Sequence, residues 1–295
     1  MPKEGIDLYP NQTRRALRLA IGVAFLLMIV KFVTGLVTHS MAILASALDS
    51  MLDMLVSILN FFAFRAASKP PDEEHAYGHG KVESLAGLFQ SLFIGVSGSY
   101  LVYESVGRFF RGSFVREIPL GIGVIFFSAL ATWFLSRRLN ALAKHNRSLI
   151  LGAEKAHYAM DFLSYGGVLL ALILVGWTGN VFWDLGVSIL VALYIFKEAI
   201  KIFTHAVSEL LDKGLPDTEL RQIKRIILEH HPAVVGVHNL RSRIVGNRIF
   251  LDFHIEIRGE DDFKKAHHMT ESLIAKITDH LPNADVTVHY DPEGE

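Results

Sequence analysis

Cysteine is absent from the 295 residues, which removes disulfides, thiolate nucleophiles and cysteine-based zinc fingers. Any metal is therefore left to His, Asp and Glu, and the lack of thiolates argues against Cu(I). Net charge is nearly absent too: 29 Lys and Arg face 30 Asp and Glu, a formal charge of -1. No segment carries a clustered basic stripe, so there is no electrostatic footprint for nucleic acid. No Walker-type phosphate loop occurs, so nothing points to ATP-driven work. Residues 1–5 are polar and no apolar run follows at once, so no cleaved signal peptide is expected. Apolar residues are abundant, at 51% with a mean hydropathy of +0.34. That is too apolar for an ordinary soluble protein of this size, and an integral membrane protein embedded in a lipid bilayer is expected.

Six apolar runs are suited to spanning helices, over residues 16–37, 41–64, 82–106, 118–135, 151–177 and 181–203. From about residue 205 the pattern changes to that of a soluble α/β unit. The expected organisation is an N-terminal tail (1–13), a six-helix transmembrane domain (14–209) and a C-terminal domain (210–295). Basic residues fall mainly on one set of connections: Arg14, Arg15 and Arg18; Arg65, Lys69 and Lys81; Arg137, Arg138, Lys144 and Arg147. The opposite set is bare at 38–40 and 178–180, and only Arg108, Arg111 and Arg116 dissent. The positive-inside rule puts both termini and the C-terminal domain in the cytoplasm. That domain reads as a helix (216–230), two strands (234–244 and 248–257) joined at Gly246-Asn247, a helix (263–281) and a last strand (284–290). The order αββαβ suggests helices on one side of a small sheet.

Within the second run, Asp49 and Asp53 stand four residues apart and so share one helix face at a depth where ionisable groups are costly. His157 and Asp161 repeat that spacing in the fifth run. With the two helices antiparallel, both pairs fall near the middle of their spans. One nitrogen and three carboxylates suit tetrahedral Zn²⁺ and also accept Cd²⁺, Fe²⁺ or Mn²⁺. The loop residues Asp72, His75 and His79 are spaced for a second site, or else belong to a solvated acidic loop. In the C-terminal domain, His254 sits opposite the apolar row of its strand and His289 and Asp291 share one face of theirs. His238, His267 and His268 are candidates to join them. Lys31 and Glu104, in the outer parts of the first and third runs, are expected to pair or to snorkel to the interface, without a transport role. A stripe of Gly87, Ser91, Gly95 and Ser99 suits close helix contact.

Taken together, Ser46-x-x-Asp49-x-x-x-Asp53, Tyr77-Gly78-His79-Gly80-Lys81-x-Glu83, His157-x-x-x-Asp161 and Gly236-Val237-His238-x-Leu240-Arg241 resemble the cation diffusion facilitator family, and within it the YiiP-like bacterial zinc and iron exporters. The resemblance implies a transport site of Asp49, Asp53, His157 and Asp161, a loop site of Asp72, His75 and His79, and a cytoplasmic site of His238, His254, His267, His289 and Asp291. It also implies a homodimer with a ferredoxin-like cytoplasmic domain, resident in a bacterial inner membrane. Histidine at position 157 is similar to the family's zinc pattern and is shared by iron-linked relatives. The expected activity is metal/proton antiport rather than enzymatic catalysis, with Zn²⁺ as cargo and as a structural or regulatory ion. Two other classes stay open: a metal-dependent intramembrane hydrolase using Asp49 and Asp161, and a membrane metal sensor that does not transport.

Overall fold

The computed structural model describes residues 11–111, 119–143, 148–180, 182–258 and 263–294. Most of the expected tail, and the loop residues Arg116, Lys144 and Arg147, lie outside them. The chain divides into two compact units between Val207 and Ser208.

The first unit is helical: α1 (Asn11–Thr38), α2 (Met41–Ala67), α3 (Lys81–Arg111), α4 (Pro119–Ala143), α5 (Leu149–Thr178) and α6 (Phe182–Leu210). Several helices outrun their apolar stretches; α1 starts at Asn11, before Arg14, Arg15 and Arg18. Hydropathy marks where lipid ends, whereas backbone hydrogen bonding carries the helix past it. Among the described residues, five helices are long and apolar enough to cross a membrane, α1 to α5. In α6 the charges of Lys197, Glu198 and Lys201 interrupt the apolar run.

Sharp connections fix helix order. His39, at φ 50°, turns the chain between α1 and α2, and the Ser40 hydroxyl accepts from the Ile43 N–H to cap α2. A Cβ on Gly35 would stand 2.8 Å from the Leu44 side chain, so α1 and α2 can approach this closely only at glycine. Ala16 and Ala20 of α1, Leu135 and Leu139 of α4 and Leu151 and Tyr158 of α5 share one buried cluster. Ile94 of α3, Ala153 and Met160 of α5 and Ile195 and Ala199 of α6 share another. The alanines among them let helices close without a hydrophobic drive from water, which lipid does not supply. The small-residue stripe of α3 divides: a Cβ on Gly87 would crowd the Leu149 side chain of α5, whereas one on Gly95 would point into open space.

The second unit contains α7 (Asp217–Leu228), β1 (Val234–Val245), β2 (Arg248–Ile257), α8 (Phe263–His280) and β3 (Ala284–Pro292). Strands β1 and β2 are antiparallel, turned at Gly246 with φ 58°. Strand β3 returns through α8 to pair parallel with β2, giving the order β1-β2-β3. Alternation along β2 sends Leu251, Phe253 and Ile255 into a core with Ile223 and Ile227 of α7 and Leu273 and Ile277 of α8. Both helices therefore cover one face of the sheet. The other face is left for His254 and its register partners.

Candidate metal centre

Helices α2 and α5 bring Asp53, His157 and Asp161 together, with one ligand atom from each lying within 4.8 Å of the others. His157 Nε2 is 3.2 Å from Asp53 Oδ1 and 3.8 Å from Asp161 Oδ2. The nitrogen is buried and lies within ion-pair range of both carboxylates, yet makes no hydrogen bond. A buried polar atom of this kind is costly unless something else completes it. The His157 ring is held edge-on against Tyr158, with centroids 5.3 Å apart. Asp49, one turn before Asp53 on α2, stays outside the cluster. Four residues of helix rise about 6 Å, so two crossing helices bring three of these four side chains to one point more readily than all four.

Lys31 departs from its expected place. It is 1% exposed and does not snorkel to the interface. Its Nζ donates to Ser50 Oγ at 2.9 Å and to the Tyr165 hydroxyl at 2.6 Å.

A further polar knot ties α2, α3 and α5 together. The carboxylate of Glu154, 0% exposed, accepts from the Ser57 hydroxyl, from Asn60 Nδ2 at 2.6 Å and from Gln90 Nε2 at 3.3 Å. The Tyr158 hydroxyl lies 2.9 Å from Ser57 Oγ and donates to the Ala20 carbonyl at 3.3 Å. Glu83, also fully buried, accepts from the Ser148 hydroxyl and from the Ile150 N–H at 3.1 Å, which satisfies the first turn of α5. Sequence reasoning assigned no role to this knot. Its signal was the spacing Asp53, Ser57, Asn60 along one face of α2, with Glu154 one turn before His157.

Between α2 and α3, Asp72, His75 and His79 form a second cluster. Asp72 Oδ1 accepts from the His75 N–H at 2.7 Å, Asp72 Oδ2 lies 3.3 Å from His79 Nε2, and the two imidazole centroids are 4.6 Å apart. The His75 N–H is the main reason that the Asp72 carboxyl lies below the usual carboxylate range. Gly78, at φ 82°, makes the turn that returns His79 toward Asp72.

On the open face of the second unit, register puts His238, His254 and His289 side by side on the three strands. Asp291 gathers them: its carboxylate is 3.2 Å from His238 Nε2, 2.9 Å from His254 Nδ1 and 3.0 Å from His289 Nε2. His238, His254 and Asp291 form the tight group. Glu256, which sequence reasoning did not select, lies 3.2 Å from His238 Nδ1. His267 is not brought in. It sits on α8, which packs on the opposite face of the sheet, and it stacks on Phe263 and pairs with Glu271 at 3.9 Å.

The His254 hydrogen bond is the largest cause holding the Asp291 carboxyl below its ordinary range, and the neighbouring histidines add to it. A depressed folded-state value gives stability that is fully present above the unfolded value and lost as pH falls through the folded one. Melting midpoints of the metal-free chain are therefore expected to drop at pH values below about 4, the ordinary aspartate range. Asp291→Asn should flatten that limb, and an unchanged acid limb in the variant would remove Asp291 as its source.

Residues 17–211 match the family of the cation efflux transmembrane domain. Residues 215–293 match the family of the cation efflux protein cytoplasmic domain. The chain is 33% identical over 284 residues to the cation-efflux pump FieF of Yersinia pestis (strain Pestoides F), which covers 96% of this chain and 94% of that one. FieF of Yersinia pseudotuberculosis serotype IB (strain PB1/+) matches to the same extent. Among solved structures, the Zn form of CzrB is 34% identical, with 28% of this chain and 96% of that one covered at a TM-score of 0.27. The metal-bound C-terminal domain of the CzcD transporter from Thermotoga maritima is 31% identical, with 28% and 98% covered at a TM-score of 0.26.

Proposed function

Because this chain belongs to the cation efflux family, a family of membrane transporters rather than enzymes, we propose that it exports Zn²⁺ from the cytoplasm in exchange for protons. The observation that carries this reading is the buried His157 Nε2, left without a hydrogen bond between two carboxylates in the membrane-spanning unit. A site built to be polar and still unsatisfied is suited to a visiting cation. In this reading the cation draws Asp49 in to complete a four-ligand shell of Asp49, Asp53, His157 and Asp161. A tetrahedral array of one imidazole nitrogen and three carboxylate oxygens favours Zn²⁺, and Fe²⁺, Cd²⁺ or Mn²⁺ accept the same donors at some cost in fit.

Proton coupling follows from ligand chemistry. The imidazole and carboxylates bind metal only when deprotonated, so metal loading releases protons and protonation from the opposite side expels the metal. Imidazole titrates nearest neutral pH and is the natural carrier. Six spans, with α6 as the sixth, put both termini and the domain 210–295 in the cytoplasm of a bacterial inner membrane. That domain holds the chain as a homodimer. Its His238, His254, His289 and Asp291, together with the loop ligands Asp72, His75 and His79, bind zinc as structure or as a sensor of cytoplasmic supply. His267 remains outside that set within one chain. The hydrolase and sensor-only readings lose ground to family membership.

The test is flux in proteoliposomes of purified protein under an imposed pH gradient, with Zn²⁺, Fe²⁺, Cd²⁺ and Mn²⁺ competing. Zinc uptake that collapses with the gradient is expected, with Cd²⁺ and Fe²⁺ the stronger competitors. Zinc flux indifferent to the gradient would overturn antiport, and no flux of any of the four would overturn export.

A further inference from the structure

The fate of Lys31 goes beyond the ligand set. It is 1% exposed in the middle of the helical unit, and its ammonium donates to Ser50 Oγ and the Tyr165 hydroxyl while lying 4.6 Å from the Tyr165 ring centroid. All three of these partners are neutral. Neutral acceptors satisfy the N–H groups but do not neutralise the charge, and an unpaired charge at such depth is costly. The charges that act on it are the carboxylates of Asp161, Asp53 and Asp49.

Placement explains why. Ser50 lies between Asp49 and Asp53 on α2 and is itself buried. Tyr165 follows His157 and Asp161 at the same four-residue interval along α5, so it continues their face of the helix. Lys31 is hung from the two helices that carry the cluster, by one contact to each.

We propose that Lys31 is a fixed counter-cation of the transport site, a positioning and selectivity residue that touches no cargo. The proposal rests on the quartet described above. Within the ligand set, three ionised carboxylates and a neutral imidazole carry three negative charges, and Lys31 leaves two; the nearby Glu154 carboxylate is held apart by its own donors Ser57, Asn60 and Gln90. A single divalent cation then brings the filled site to neutrality, whereas a monovalent ion leaves it negative and a trivalent ion leaves it positive. In a poorly screened interior such imbalances are expensive. Lys31 thereby matches the empty site to divalent charge and opposes over-tight retention, and its tethers hold α1 to α2 and α5 at that level.

The experiment compares Lys31→Met, Lys31→Arg and Asp53→Ala in zinc flux and in zinc binding to the purified full chain on the alkaline side, where proton competition is least. Removing the ammonium is expected to tighten zinc binding about tenfold, since a unit charge repels a divalent ion strongly at low dielectric. It should also lower the maximal flux at least about tenfold as release slows. Lys31→Arg should keep both within about threefold, because the charge is retained. A purely structural lysine would lower flux without tightening binding, and arginine would not restore it; that outcome overturns the proposal. Wild-type binding and flux in Lys31→Met, with Asp53→Ala inactive, would overturn it while leaving the site intact. Normal flux in Asp53→Ala would instead remove the site itself. Should Lys31→Met fail to assemble, Lys31→Arg decides, and loss of zinc binding in that folded variant rules the charge role out.

Discussion

Asp53→Ala is expected to abolish zinc/proton exchange in proteoliposomes while the purified protein still folds. Asp53 is the α2 carboxylate nearest to His157, at 3.2 Å. Truncating one partner of a buried charge pair costs roughly 2–5 kcal/mol in binding, which at about 1.4 kcal/mol per tenfold is roughly one and a half to three and a half orders of magnitude in affinity. His157→Ala should be as severe, because it removes the lone nitrogen ligand and the group best suited to carry a proton. The measurement is initial zinc flux under a fixed pH gradient, with thermal melting of the same preparation to confirm the fold. Flux within a factor of a few of wild type in either variant would exclude this cluster as the transport site.

Glu154→Ala should show the opposite pattern, a large loss of stability before any question of transport. Its carboxylate collects donors from Ser57, Asn60 and Gln90, and removing it leaves these buried groups with no water to replace it. Each unsatisfied buried donor costs about 1–3 kcal/mol, so roughly 3 kcal/mol or more is expected. In a domain of this size that corresponds to a drop of about 10 °C in melting midpoint. Glu154→Gln keeps one carbonyl oxygen as acceptor and should lose clearly less. Equal midpoints for Glu154→Ala and wild type would show that the knot does not hold α2, α3 and α5 together. The knot lies one turn from His157, so its rigidity also bears on function: ligands converge only if α2 and α5 keep their relative register.

The parts of the site that were legible in the sequence are those set by short-range geometry. Helical spacing placed His157 with Asp161, and the loop spacing placed Asp72 with His75 and His79. Strand alternation turned His254, His289 and Asp291 away from the apolar row. The helix and strand placements follow from periods of about 3.6 and 2 residues that any chain in those conformations obeys, and the loop cluster is closed by the turn at Gly78.

Other features failed to appear because they depend on which elements meet. Lys31 reads as an interfacial lysine when its own helix is considered alone; only the approach of α2 and α5 supplies Ser50 and Tyr165. Glu256 becomes a neighbour of His238 through the β1–β2 pairing, whose register shifts between His238 and Arg241. His267 looked equivalent to the other histidines, yet α8 packs on the far side of the sheet.

From the sequence alone came the membrane class, the positions of the apolar helices, the αββαβ order of the second unit and the residue types able to bind a divalent ion. Composition and periodicity are properties of the chain itself, so these needed no partner. Tertiary structure decided that Asp53, rather than Asp49, joins His157 and Asp161, and that Lys31 and Glu154 are buried. Those outcomes depend on helix crossing and close packing between residues 19 to 134 positions apart, and no local period encodes such distances.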